Sequence, residues 1–161
     1  MDYSDAYLRQ VLNDVKTVAM VGVSTNPVRP SFFVGRYLNL KGYRVLPVNP
    51  VYKGQKLFDT KIRGSLRKLA KRESEIHMVD IFRRSEEAGA VVDDALRYCL
   101  KRGLKAIWMQ IDVIDEKAAA RAEAEGVRVV MNRCPKIEYQ RLVGELSMGG
   151  FNSGVISSKL R

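Results

Sequence analysis

Five short runs limit what this chain can become. TVAMVG (17–22), YRVLPV (43–48), IHMVDI (76–81), KAIWMQ (105–110) and VRVVM (127–131) are β-branched and apolar almost throughout. A strand with one wet face alternates apolar and polar residues. A run without alternation marks a strand covered on both sides, which is the signature of a parallel sheet sandwiched between helices.

The segments between the runs have helical spacing and recognisable ends. SFFVGRYLNLKG (31–42) has Ser31 as its candidate cap. Ser85 is the candidate cap of a segment opening with Glu86 and Glu87, repeating Ala88, Val91, Val92, Ala95, Leu96, Cys99 and Leu100, and closing at Lys101, Arg102 and Gly103. Acids first, bases last and glycine just beyond suit the helix dipole and both caps. DEKAAARAEAE (115–125) is an alanine-rich helix that stops at Gly126. Strand and helix in alternation predict an α/β fold, a Rossmann-like doubly wound sheet of about five parallel strands in a single domain over 1–161. Residues 1–16 are expected to form an N-terminal helix. Residues 143–161 are expected to be a tail or, because Phe151, Val155 and Ile156 would otherwise be exposed, an arm on a neighbouring subunit of a homo-oligomer.

The 161 residues suffice for one domain, with 46% hydrophobic and 29% charged residues in a globular balance. No apolar stretch reaches membrane-spanning length and the polar start MDYSDAYLRQ is unlike a leader, so a cytoplasmic location and no membrane partner are expected. Two cysteines without a C-x-x-C pair and one histidine, His77, do not make an ordinary zinc site. His77, inside or before a strand, is expected to be structural. The formal charge is +10, and Lys53–Arg72 gathers eight bases against one acid, Asp59. Two readings stay open for this patch: an anionic partner, or a solvated helix face.

In a doubly wound sheet, ligands bind beyond the carboxyl ends of the strands. The first end reads VGVSTNPVRPS: Gly22 lets backbone approach an anion, Ser24 and Thr25 offer hydroxyl and amide donors, and Arg29 can grip a phosphate with two parallel bonds. The full G-x-G-x-x-G pattern is absent. The second end, VLPVNP, has no acid for the ribose hydroxyls of NAD, which favours a phosphorylated ribose, with Asn49 and Lys53 as candidates for adenosine and its phosphate.

VGVSTNPVRPS, GYRVLPVNP, VDIFRR, KAIWMQ and MNRCPKIEYQRL, taken in order from about Thr17 to Leu142, resemble the small stand-alone CoA-binding domain proteins. These are related to the CoA-binding domain of the succinyl-CoA synthetase alpha subunit. The resemblance implies coenzyme A or an acyl-CoA as ligand, with Gly22, Val23, Ser24, Thr25 and Arg29 around its phosphates and Lys53 beyond the second strand. It also implies that Ile81, Phe82 and Arg83 lie beside the adenine. Trp108 and Gln110, with Asn132 and Cys134, would line the pantetheine side. The synthetase carries its phosphohistidine in a further domain with no counterpart in this sequence.

Cys134 precedes Pro135 and is expected at a helix cap, where Arg133 and Lys136 would make its thiol easier to deprotonate and open to a mixed disulfide with CoA; the alternative is a half-buried turn cysteine. Cys99 lies on an apolar helical stripe and belongs to the core. Asp80, after the third strand, has no carboxylate partner, and no nucleophile–base–orienter set is visible. A non-catalytic carrier, sensor or accessory module is therefore expected. The alternatives are a CoA-binding component of a multi-chain ADP-forming acyl-CoA synthetase, with a partner chain, or a nucleic-acid-binding regulator, for which no recognition motif is present.

Overall fold

The computed structural model describes residues 1–143; the expected C-terminal arm lies outside them. Helix α1 (Asp5–Asp14) opens on Ser4, whose hydroxyl accepts the Tyr7 amide. Strand β1 (Thr17–Val21) leads to α2 (Pro30–Leu40), and β2 (Arg44–Val48) follows. A hairpin, β3 (Lys56–Leu57) and β4 (Thr60–Lys61), and the short α3 (Leu66–Ala70) precede β5 (Met78–Ile81). Then come α4 (Ser85–Cys99), β6 (Ala106–Met109), α5 (Glu116–Ala124), β7 (Arg128–Val130) and α6 (Pro135–Leu142). Five strands form one parallel sheet in the order β2-β1-β5-β6-β7. This is the α/β, Rossmann-like architecture that the five apolar runs imply.

Side chains alternate across each strand, so the sheet divides the core in two. Val79, Ile81, Ile107 and Met109 pack with α3, α4 and α5 on one face. Met20, Met78, Trp108 and Val130 pack with α1, α2 and α6 on the other. Asp80 follows the two-residue period from Met78 and therefore enters this second face, between Met20 and Trp108. It lies inside the strand rather than after it. Among the described residues, no helix is long and apolar enough to cross a membrane.

Two helix starts differ from the sequence-based expectation. Arg29 caps α2, because Pro30 favours the first helical position; Ser31 sits in the first turn, where its hydroxyl accepts the Ser24 amide at 2.9 Å. Arg84 caps α4, and Ser85 is its first residue. The Ser85 hydroxyl donates to the Asp112 carbonyl at 3.1 Å and accepts the Ile114 amide at 3.0 Å, tying down the loop after β6. His77 is structural as expected: its Nδ1 accepts the amides of Lys16 and Thr17 at 3.1 and 3.3 Å. Cys99 is buried in the core.

The hairpin was not legible in the sequence. Phe58 and Asp59 occupy its turn at φ 52° and 62°, a left-handed conformation that a bulky residue adopts only under constraint. The constraint is a notch in α2. A Cβ added at Gly35 would lie 2.5 Å from the Phe58 ring, and that ring sits 5.9 Å from Phe32. Arg63 then pairs beside Val48 and covers the free edge of β2. Gly35→Ala should therefore push Phe58 from its notch and lower stability by about 1–3 kcal/mol. Denaturant unfolding should show a much smaller loss for the same substitution in a Phe58→Ala background.

Candidate functional site

The connection after β1 crosses to α2 on one face of the sheet, and the connection after β5 crosses to α4 on the other. The strand order reverses between these neighbours, so their carboxyl ends open a cleft. Gly22 stands at its floor with φ +92°, and a Cβ there would meet the Phe82 carbonyl oxygen at 2.2 Å. The sequence-based reading assigned that space to an approaching phosphate. The structure fills it with the neighbouring loop, so Gly22 is required for backbone packing before any ligand arrives.

Two depressions share Pro30 and Phe82 as a common wall. The first, about 340 Å³, is the more polar of the two and lies among Gly22, Ser24, Arg29, Ser31, Asn49 and Tyr52, with Val51 beside the shared wall. Its loop is held by its own side chains: the Ser24 hydroxyl accepts the Asn26 amide at 3.0 Å, and Asn26 Oδ1 accepts the Val28 amide at 3.1 Å. The Ser24 amide is already given to Ser31 and is not free for an anion. Asn49 acts as a clamp, donating to the Val23 carbonyl at 2.8 Å and accepting the Val51 amide at 3.0 Å. Arg29 is exposed at the start of α2, with its guanidinium available.

The second depression, also about 340 Å³, is mostly apolar and is lined by Val34, Ile111 and Val113 with Arg83, Gln110 and Cys134. Beneath it, Gln110 Nε2 donates to Asp80 Oδ1 at 2.9 Å. Asp80 is fully buried, and burial pushes its carboxyl up to about 7 against the opposing pull of the Gln110 hydrogen bond. Cys134 does occupy the cap of α6, but its thiol is not activated. Burial pushes it up to about 11, outweighing the amides of Ile137 and Lys136 and the Lys136 charge. This corrects the expectation of an easily deprotonated cysteine.

Of the residues singled out in the sequence, Gly22, Ser24, Arg29, Asn49, Phe82, Arg83, Gln110 and Cys134 meet at the two depressions. Val23, Ile81 and Trp108 are core residues; the Trp108 indole donates to the Arg133 carbonyl at 2.8 Å. Asn132, at φ 59°, accepts the Asp112 amide and shapes a loop. Thr25 and Lys53 line neither depression. Val34, Ile111 and Val113, which line the second depression, were missed, because apolar residues near strand ends look like core.

The basic segment is not one helix face. Its cations spread over the loop at Lys53, the hairpin and α3, and among the described residues none forms an ion pair. Arg44, Arg84, Arg121, Arg128 and Arg141 elsewhere each have a carboxylate partner. Lys56 and Lys61 even face each other across the hairpin, an unfavourable pairing.

Residues 16–140 match the family model described as CoA binding domain. The protein YneT of Bacillus subtilis strain 168 is 29% identical over 136 residues, covering 84% of this chain and 94% of that protein. The solved structure of cell-free ID.343 from Thermus thermophilus is 34% identical, with a TM-score of 0.73, over 87% of this chain and 99% of that one. The fold also recurs in a dinucleotide forming acetyl-coenzyme A synthetase 1 of Ca. Korarchaeum cryptofilum, 22% identical with a TM-score of 0.57, over 71% of this chain and 25% of that one.

Two outcomes follow from the buried groups. In the unfolded chain Asp80 titrates near an ordinary ~4, whereas in the fold it titrates at about 7. Between those values the folded state holds a proton that the unfolded state releases, so stability falls as pH rises through this window, by on the order of 2–4 kcal/mol. Unfolding measured from pH 4.5 to 8 should show this decline, and Asp80→Asn should flatten it. Alkylation of native Cys134 at pH 7.5 should be ~100-fold slower than that of free cysteine, since so little thiolate is present; peptide mass mapping reads this directly.

Proposed function

The chain belongs to the CoA-binding domain family, and from that premise we propose that it binds coenzyme A or an acyl-CoA across the two depressions, as a non-catalytic carrier, sensor or accessory module. The observation that carries this reading is the pairing itself: a mixed depression with polar side chains and a mostly apolar one, of like size, meeting at Phe82. CoA has the same division. Its nucleotide end carries roughly four negative charges, about two on the phosphomonoester and about two on the diphosphate, and its pantetheine arm is largely apolar with two amides. Arg29 and the half-buried Ser24 and Tyr52 suit the first part. Phe82 offers a flat face for adenine, and Val34, Val113 and Gln110 suit the arm. Nothing in the cleft supplies an activated nucleophile, so binding rather than turnover is the reading the residues favour.

A second reading makes the chain the CoA-binding component of a multi-chain acyl-CoA synthetase. It is favoured by four apolar side chains exposed at the same edge, Val28, Val51, Ile111 and Ile114, which suit a partner seated over the cleft. It requires acyl-CoA-dependent ATP formation that appears only on mixing with a chain carrying the remaining synthetase domains.

Thermal unfolding with CoA, dephospho-CoA, NAD and ATP tests the principal reading. At ~100 times its dissociation constant a ligand stabilises the folded state by roughly 2.7 kcal/mol. CoA should raise the transition clearly, dephospho-CoA less, and Arg29→Ala should shrink the CoA shift while leaving the unliganded transition in place, because Arg29 is exposed. A larger response to NAD than to CoA, or no response to CoA, would refute it. Gly22→Val is unsuitable for this purpose, since its side chain would strike Phe82.

A further inference from the structure

We propose that Asp80 is a positioning residue: by accepting the Gln110 amide it turns the Gln110 carbonyl oxygen into the apolar depression, where that oxygen selects a ligand offering a secondary-amide N–H. The inference rests on the CoA reading, because pantetheine supplies two such groups. A glutamine side chain can present either its oxygen or its nitrogen, so a free one adapts to donor and acceptor alike. This one is not free. Asp80 is locked inside β5 between Met20 and Trp108 with no exposed surface, and an ionised carboxylate only accepts. Its Oδ2 has no partner among the described residues, so the 2.9 Å bond from Gln110 is the one donor its side chain has there. Turning the amide over would strip a buried carboxylate of that donor. The Gln110 Oε1, in contrast, accepts nothing among the described residues and is not sealed inside, while Gln110 lines the depression. Its neighbours there are Val34, Phe82 and Val113, with the Cys134 thiol close enough to Asp80 to feel its charge. A fixed acceptor in such surroundings discriminates against any ligand lacking a donor.

The test has two readouts at pH 8. In ligand-free protein, the Gln110 side-chain amide should give an NMR signal shifted from those of exposed glutamines and protected from solvent exchange, and Asp80→Asn should weaken both features. Calorimetry should then compare CoA with analogues in which each pantetheine amide N–H is replaced in turn by an ester oxygen. Wild type should disfavour one analogue by about tenfold or more, and the ratio should collapse towards one in Asp80→Asn and in Gln110→Met, the latter serving if the former does not fold. A solvent-like Gln110 signal in wild type, or an undiminished ratio in either folded variant, overturns the proposal even though CoA binds. Failure of wild type to bind CoA strikes the underlying reading instead, and the amide signal then decides the positioning claim alone.

Discussion

The backbone of Gly22 lies against the carbonyl of Phe82, so close that a Cβ would come within 2.2 Å, and the site is built outward from that contact. It arises because β1 and β5 are parallel neighbours whose following segments leave towards opposite faces of the sheet. Two strands ending side by side with diverging exits leave a cleft between them. Glycine lets the exits begin in contact, and Phe82 becomes the wall that both depressions share. The polar loop on one side and the apolar lining on the other are consequences of which helix each exit feeds.

Asp80 stands against this economy. A carboxyl in the middle of an otherwise apolar strand, sealed from water and holding one side-chain hydrogen bond among the described residues, opposes folding at neutral pH. A leucine or methionine would fit the surrounding core of Met20, Met78 and Trp108 with less penalty. Local departures from core chemistry of this kind collect at functional sites, and here the departure is joined directly to the depression through Gln110. The buried Cys134 shows the opposite behaviour: burial leaves it protonated and quiet, so its place at the helix cap reflects packing rather than reactivity.

Much of the architecture was legible because the physics that sets it is local. Unbroken apolar runs name strands covered on both faces, and alanine-rich segments bounded by acids and glycine name helices. What stayed hidden depends on contacts distant in sequence. Phe58 reads as a hydrophobic residue in a basic loop until Gly35, on another element, supplies its notch. Ser31 and Ser85 read as caps until Ser24 and Asp112 claim their hydroxyls. Trp108 reads as a residue near a strand end until its indole is seen bonded to Arg133 beneath the surface. The Asp80–Gln110 pair spans thirty residues, and its partners are ordinary in isolation. The motif resemblance does not tell residues that line the depressions from the core residues that hold them.

The most direct measurement is the structure of crystals grown with coenzyme A. Continuous density is expected over the carboxyl ends of β1 and β5, with the diphosphate near Ser24 and Arg29, the base against Phe82 and the pantetheine arm running past Gln110 towards Cys134. Density confined to the basic hairpin and α3, or a cleft that stays empty at saturating coenzyme, would contradict it.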